Sequence, residues 1–225
     1  MRHSVDKSIG QPVPSSVSRE RRAALRVLAL AAAAPAMMPF AAAAQPLQAP
    51  TPAQTEGPFY PRTIPADHDA DLTRVAGRDG RAQGITLYFS GRVLALDGKP
   101  RADAQLELWQ CDALGRYHHV GDDSRPRDAN FQGYGTTASD ADGRYAFTTI
   151  RPVAYPGRPP HLHLKVRAPG APALTTQVYI KGDSTAGDMV IGSSPSGTFE
   201  RLSMALTPVA GREPGALAGT FDFVI

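Results

Sequence analysis

From residue 85 onward the chain alternates. Ile85, Leu87, Phe89 and Val93 are interleaved with Thr86, Tyr88, Ser90 and Arg92, the period of two expected of a strand with one buried face. Asp97-Gly98 supplies a turn, and Leu106-Glu107-Leu108-Trp109 predicts the next strand. Arg144 to Ile150, His161 to Arg167, Thr175 to Ile180, Arg201 to Thr207 and Thr220 to Ile225 continue the series. Short strands punctuated by Gly, Pro and Asp, with almost no helical period, predict an all-β sandwich of mostly antiparallel strands and little helix. Residues 45–84 carry proline, glycine and charge without a sustained period. They read as an extended N-terminal arm leading into a sandwich domain over 85–225.

Residues 1–44 have a different pattern. Ser18-Arg19-Glu20-Arg21-Arg22 precedes an apolar, alanine-rich run from Ala23 to Ala44 that closes in Ala42-Ala43-Ala44. A basic stretch, an apolar stretch and a small-residue cleavage site predict an export signal, and Arg21-Arg22 suggests the twin-arginine type. Arg26, Pro35 and Pro39 interrupt the run and argue against a retained anchor. The expectation is cleavage after Ala44, a periplasmic or secreted location, and no stable membrane association after signal removal.

That reading reassigns the charge. The full chain has a formal net charge of +3. Arg2, Lys7, Arg19, Arg21, Arg22 and Arg26 lie in the leader against only Asp6 and Glu20, so the remainder is nearly neutral. No basic patch argues for nucleic acid. The chain beyond the leader suits one domain with a sizeable core. Cys111 is the only cysteine, which excludes an intrachain disulfide. At the end of an apolar strand it reads as a small buried hydrophobe.

The chemistry concentrates in Tyr155-Pro-Gly-Arg-Pro-Pro-His161-Leu-His163. On a strand, His161 and His163 share a face with Cα atoms about 6.5–7 Å apart, so both imidazoles can reach one metal ion. A bare His-x-His pair is more often a half-buried polar face, and the company it keeps decides. Asp112-Ala-Leu-Gly115-Arg116-Tyr117 echoes Asp140-Ala-Asp-Gly143-Arg144-Tyr145. Each is a glycine turn feeding a strand, too few copies for a repeat architecture. Tyr145 continues an alternation with Phe147 and belongs to the core. Tyr117 precedes His118-His119 and is freer for chemistry.

A site built from Tyr117, Tyr155, His161 and His163 would offer two phenolates and two imidazoles. Anionic oxygen favours a hard, highly charged ion, and nitrogen suits iron. A free phenol has a pKa near ~10, so it ligates at neutral pH only where a metal stabilises its anion. Zinc sites normally draw on Cys, His and carboxylate, and this cluster contains no carboxylate. Copper is allowed on affinity, but two phenolates are an unusual offering for it.

These stretches resemble the intradiol ring-cleavage dioxygenase family, on its protocatechuate side. The matching segments are Thr51 to Pro61, Glu107 to Tyr117, Phe131-Gln-Gly-Tyr-Gly135, Asp140 to Ile150, Arg151 to Tyr155, Arg158 to His163 and Thr175 to Tyr179. They run in order over nearly all of 51–183. The resemblance implies a β-sandwich and a non-haem Fe(III) held by Tyr117, Tyr155, His161 and His163. It implies that Tyr155 leaves the metal and takes a substrate proton, that Arg158 stabilises developing anionic character, and that Gln177 orients either Arg158 or the peroxo intermediate. For Arg158 the plainer alternative is a surface salt bridge, and for Gln177 a sheet-face hydrogen bond. The implied partners are a catechol-type aromatic and O2, and the implied product is a muconate-type diacid.

Two departures matter. Only five residues separate Tyr155 from His161, a loop shorter than in the two-chain protocatechuate enzymes. The helical N-terminal dimerisation region of the catechol and hydroxyquinol enzymes is missing, which moves the substrate toward protocatechuate. Assembly into a homo-oligomer is left open. The rival reading is an exported transthyretin-like binding module without catalysis, suggested by Gly91-x-Val93, Asp97-Gly98-x-Pro100 and Asp142-Gly143-x-Tyr145. Such a module has no reason to gather Tyr117 and Tyr155 beside His161 and His163. An iron-retaining but inactive homologue is a third reading.

Overall fold

The structure, a computed structural model, describes residues 47–122 and 126–225. The predicted twin-arginine signal lies outside the described residues. Among the described residues, ten strands form two sheets: β1 (Thr86–Leu94), β2 (Gln105–Trp109), β3 (Tyr134–Ala138), β4 (Arg144–Ile150), β5 (His161–Arg167), β6 (Leu174–Ile180), β7 (Ser203–Met204), β8 (Leu206–Pro208), β9 (Leu217–Thr220) and β10 (Phe223–Val224). Helix among the described residues is confined to two single turns, α1 (Met189–Gly192) and α2 (Thr198–Arg201).

One sheet is centred on β1, which pairs antiparallel with β4 on one edge and parallel with β9 and then β10 on the other, with β8 beyond β9. The other runs β3-β2-β5-β6-β7 and is antiparallel except at β6–β7. Leu87, Phe89 and Val93 of β1, Tyr145 and Phe147 of β4, Leu106 and Leu108 of β2, and Leu162, Leu164 and Val166 of β5 bury together. The all-β sandwich expected from the alternation is therefore the fold.

The last two expected strands are each broken. Arg201 closes α2, and the segment after it splits into β7 beside β6 and β8 beside β9. The chain changes sheets at Ala205, which a single strand over 201–207 cannot do. Over 220–225, β9 ends at Thr220 and β10 begins at Phe223. Between them Asp222 Oδ1 accepts the Arg92 backbone N–H at 2.8 Å. There the Phe221 carbonyl oxygen lies 1.8 Å from where a Cβ on residue 91 would sit, so only Gly91 admits this crossing. Strand β3 is not foreseen by the pattern, because Tyr-Gly-Thr-Thr-Ala has no apolar alternation.

The arm from residue 47 to 84 contains no strand or helix beyond a single bridge between Asp71 and Thr148. Its backbone is tied to the sandwich instead. Thr51 N–H donates to the Val224 carbonyl at 2.9 Å, and Gln54 N–H to the Thr175 carbonyl at 2.9 Å. Thr176 Oγ1 donates to the Pro52 carbonyl at 2.7 Å.

Candidate metal centre

Strand β5 sends Leu162, Leu164 and Val166 into the core, and His161, His163, Lys165 and Arg167 to the opposite face. An outer face normally meets water, yet His161 and His163 are only 1% and 2% exposed. The arm accounts for this. Gly57 lies over His163, and a Cβ there would meet His163 Cε1 at 3.4 Å, on a backbone with φ of +73°. Trp109, opposite His163 in register, stacks on its ring at 4.9 Å.

Four rings close into a circuit. Tyr117 and Tyr155 have centroids 5.4 Å apart, Tyr155 and His161 5.6 Å, His161 and His163 4.8 Å, and His163 and Tyr117 6.0 Å. The structure thus brings together the four residues singled out from sequence. His161 Nδ1 lies 2.7 Å from the Pro159 carbonyl. That carbonyl can only accept, so the ring proton sits on Nδ1 and the Nε2 lone pair faces inward. It points at His163 Nε2, 3.1 Å away.

The electrostatics keep both imidazoles uncharged. Burial, then the Arg158 charge, depresses His161 to about 4. Burial, then His161, holds His163 well below the ordinary imidazole value. Both rings are therefore neutral, the form that ligates a metal. Tyr117 is 2% exposed, and its hydroxyl is buried without a hydrogen-bond partner among the described residues. Burial and the adjacent Tyr155 phenol push its pKa well up. A buried phenol, left unsatisfied beside converging imidazole nitrogens, is the arrangement a cation would complete. Among the described residues, no group of three or more His, Cys, Asp or Glu could hold a metal, so the donor set depends on the phenols. Hard oxygen plus neutral nitrogen fits ferric iron.

Tyr155 and Arg158 are the ends of one tight turn. Their backbones bond reciprocally, Arg158 N–H to the Tyr155 carbonyl at 2.9 Å and Tyr155 N–H to the Arg158 carbonyl at 3.2 Å. Pro156 and Gly157, the latter at φ +81°, are the residues that a type II turn requires at its centre. Tyr155 is half-buried where Tyr117 is buried. Burial raises its pKa, while the Arg158 guanidinium pulls the other way.

Arg158 Nη2 donates to Gln177 Oε1 at 2.5 Å, so these two residues also meet. Lys165 does not join the centre. It pairs with Glu56 and lies over the Tyr60 ring at 3.7 Å. Several further residues of the site carry no clear signal in the sequence. Phe59 stacks on Tyr117 at 4.6 Å. Glu107 accepts from Tyr60 at 2.5 Å and Tyr134 at 3.0 Å and pairs with Arg167, anchoring the arm. Asp188 pairs with Arg158. Asp188 before Met-Val-Ile is legible as a helix cap, but nothing local points to its arginine partner.

A family model described as "Dioxygenase" matches residues 55–225. The protocatechuate 3,4-dioxygenase beta chain of Burkholderia cepacia is 37% identical over 171 residues, covering 72% of each chain. Catechol 1,2-dioxygenase 2 of Acinetobacter lwoffii is 37% identical over 152 residues, covering 59% of this chain and 52% of the relative. The chain thus spans about half the length of that catechol relative. Among solved structures, the dioxygenase domain of a dioxygenase carbohydrate-binding protein fusion from Streptomyces sp. SirexAA-E superimposes with a TM-score of 0.59 at 31% identity. That match covers 79% of this chain and 98% of the other.

Proposed function

The chain belongs to the intradiol dioxygenase family, and from that premise we propose that it is a non-haem iron enzyme opening a catechol-type ring with dioxygen. Cleavage falls between the two hydroxylated carbons, both oxygen atoms enter the product, and a cis,cis-muconate-type diacid results. The observation that carries the reading is the closed circuit of Tyr117, Tyr155, His161 and His163 around two inward-facing nitrogens and a buried phenol whose only polar neighbour among the described residues is the Tyr155 phenol. These four residues would hold the iron. Bound there, Fe(III) would favour phenolate and catecholate anions and draw electron density from the ring, which makes the ring reactive to dioxygen.

The residues divide the remaining work. His161 and His163, kept neutral by burial, serve as fixed donors. Tyr117, buried under Phe59, is a permanent wall of the site. Tyr155 is half-buried on a turn, and Arg158 favours its anion. Its Oη is the group suited to take a proton from an incoming catechol hydroxyl. Arg158 offers a fixed cation to charge that develops on the ring, and Gln177 orients it. The arm from Gln54 to Tyr60 excludes water from the histidines.

A protocatechuate-like substrate is favoured because the match spans 72% of the protocatechuate relative's own length, against 52% of the catechol relative's. Iron analysis, visible absorption and oxygen uptake with protocatechuate, catechol and hydroxyquinol test the reading together. The purified protein is expected to be red-brown without haem or flavin, from phenolate-to-iron charge transfer. A colourless iron-replete protein would overturn the two-phenolate site, and no oxygen uptake with any of the three would overturn the activity.

Export by the twin-arginine route belongs to the same reading, because that route carries folded proteins and suits a centre assembled beforehand. Replacing Arg21 and Arg22 by lysine is expected to abolish periplasmic appearance. Unchanged export of that double variant would refute the route.

A further inference from the structure

Arg158 is gripped from two sides. Its Nε donates to Asp188 Oδ2 at 2.8 Å, and its Nη2 donates to Gln177 Oε1 at 2.5 Å. Gln177 cannot rotate freely, because its Nε2 donates to the Thr55 carbonyl at 2.9 Å. That bond turns the amide oxygen toward the guanidinium. Tyr179 Oη lies 3.0 Å from the same amide oxygen and 2.7 Å from Gln54 Oε1. The clamp therefore joins the arm, the 155–158 turn, β6 and the segment carrying α1.

Asp188 is the charged member of this clamp. Its side chain is fully buried, and that of Arg158 is 15% exposed. Burial alone would raise the Asp188 pKa, but the Arg158 bond and the Ile191 and Val190 amides outweigh it and leave the carboxyl below its usual value. The two oxygens have separate duties. Oδ1 accepts from Val190 N at 2.7 Å and Ile191 N at 3.0 Å, capping α1. Oδ2 is left for Arg158.

We propose that Asp188 is a positioning residue for the ring-cleavage reaction. It fixes the guanidinium plane of Arg158 toward the space beside Tyr155, a role that rests on the proposed activity. A guanidinium held at Nε and Nη2 loses its rotational freedom before substrate arrives. An electrostatic stabiliser is effective to the extent that it needs no reorganisation during the reaction. The pairing holds the Arg158 cation in one orientation.

The two duties allow a clean test. Asp188→Asn keeps an oxygen for the α1 amides, since Asn is as good a helix cap as Asp, but removes the charge facing Arg158. In the iron-loaded protein, kcat for catechol or protocatechuate is expected to fall about 10- to 100-fold, the scale of losing an outer-shell partner. KM, iron content and melting temperature are expected to hold. Arg158→Lys combined with Asp188→Asn is expected to add little to Arg158→Lys alone, because residues acting as a unit are not additive.

A second measurement does not involve turnover. In metal-free protein labelled with 15N, the Arg158 Nε–H resonance is expected at the downfield position of a charge-assisted bond, and to move in Asp188→Asn. Wild-type kcat in Asp188→Asn would overturn the positioning role, as would a parallel collapse of melting temperature and iron content. An unmoved Nε–H resonance would overturn the clamp itself. If the wild type cleaves no catechol while the resonance moves as expected, it is the activity that fails and the clamp that stands.

Discussion

Two turns in this chain have nearly the same sequence and the same local structure, and they deliver their tyrosines to opposite fates. In Asp112–Tyr117, the Asp112 Oδ1 accepts from Leu114 N at 2.9 Å and Arg116 N at 3.0 Å. In Asp140–Tyr145, the Asp140 Oδ1 accepts from Asp142 N at 2.9 Å and Arg144 N at 2.8 Å. Gly115 and Gly143 have φ of 75° and 73°. Tyr145 then enters the sandwich core, and its hydroxyl donates to the Phe221 carbonyl at 2.6 Å. Tyr117 emerges on the other side of the second sheet, among rings, with its hydroxyl unsatisfied among the described residues. Local chemistry sets the turn. The surroundings into which the turn releases its tyrosine decide between a structural phenol and a chemical one.

The largest effect expected from this contrast is on metal. Tyr117→Phe and His161→Ala are each expected to lower iron affinity by more than the ~10–100-fold typical of an outer-shell loss. Tyr145→Phe should leave iron content and the visible band unchanged. Metal analysis and absorption spectra of the three variants decide it, and equal iron loss in the Tyr145 variant would erase the distinction.

Acid should separate the two regions next. His163 stands beside Tyr117 with His161 next in the circuit, and both imidazoles titrate in the fold below their unfolded value of about 6.5. Below that pH the unfolded chain binds protons that the native state does not. Stability of the metal-free protein is therefore complete above pH ~6.5 and lost as pH falls toward about 4, where His161 titrates, at ~1.4 kcal/mol per pH unit for each histidine. Melting temperatures in chelator from pH 8 to 4 measure this. A flat profile would mean that the imidazoles charge within the fold.

Gly143→Ala sharpens the structural side. A Cβ there would lie 2.6 Å from the Val93 carbonyl oxygen on a backbone with φ of +73°, and the expected loss is about 1–3 kcal/mol. Denaturant unfolding should register it, with iron stoichiometry unaffected. The smallest effect is that of Tyr145→Phe on stability. It strips the Phe221 carbonyl of its side-chain donor, worth about 1–2 kcal/mol, read in the same unfolding experiment.

The contrast also explains how far the fold and the site are legible in the sequence. Alternation locates β4 and β5 at their observed ends, because each buries one face against the other sheet. It cannot locate β3, whose residues are held by pairing with β2 rather than by an apolar face. Nor can it divide β9 from β10, since that break depends on Phe221 crossing Gly91, a contact between distant parts of the chain. The four ring residues can be picked out because two stand on one strand and a third lies just ahead of it. Asp188 escapes a sequence reading because its partner Arg158 is 30 residues away and only the folded loop brings them together. Phe59 and Gly57 fall inside a recognisable segment, but nothing local says that the segment roofs the histidines.

That roof bears on the order in which the molecule assembles. Gln54 and Thr55 leave the ribosome early, yet they bond to Tyr179 and Gln177, 125 and 122 positions later. Thr51 waits longer still, for Val224, 173 positions on. Contacts of such separation close the largest loops and form slowly. Synthesis therefore produces the lid before the vessel, and the lid has nothing to sit on until β6 exists. During that interval the histidine face of β5 is open to solvent. The arm's late docking then closes that face, so any ion the site takes would have to enter before Gly57 settles over His163.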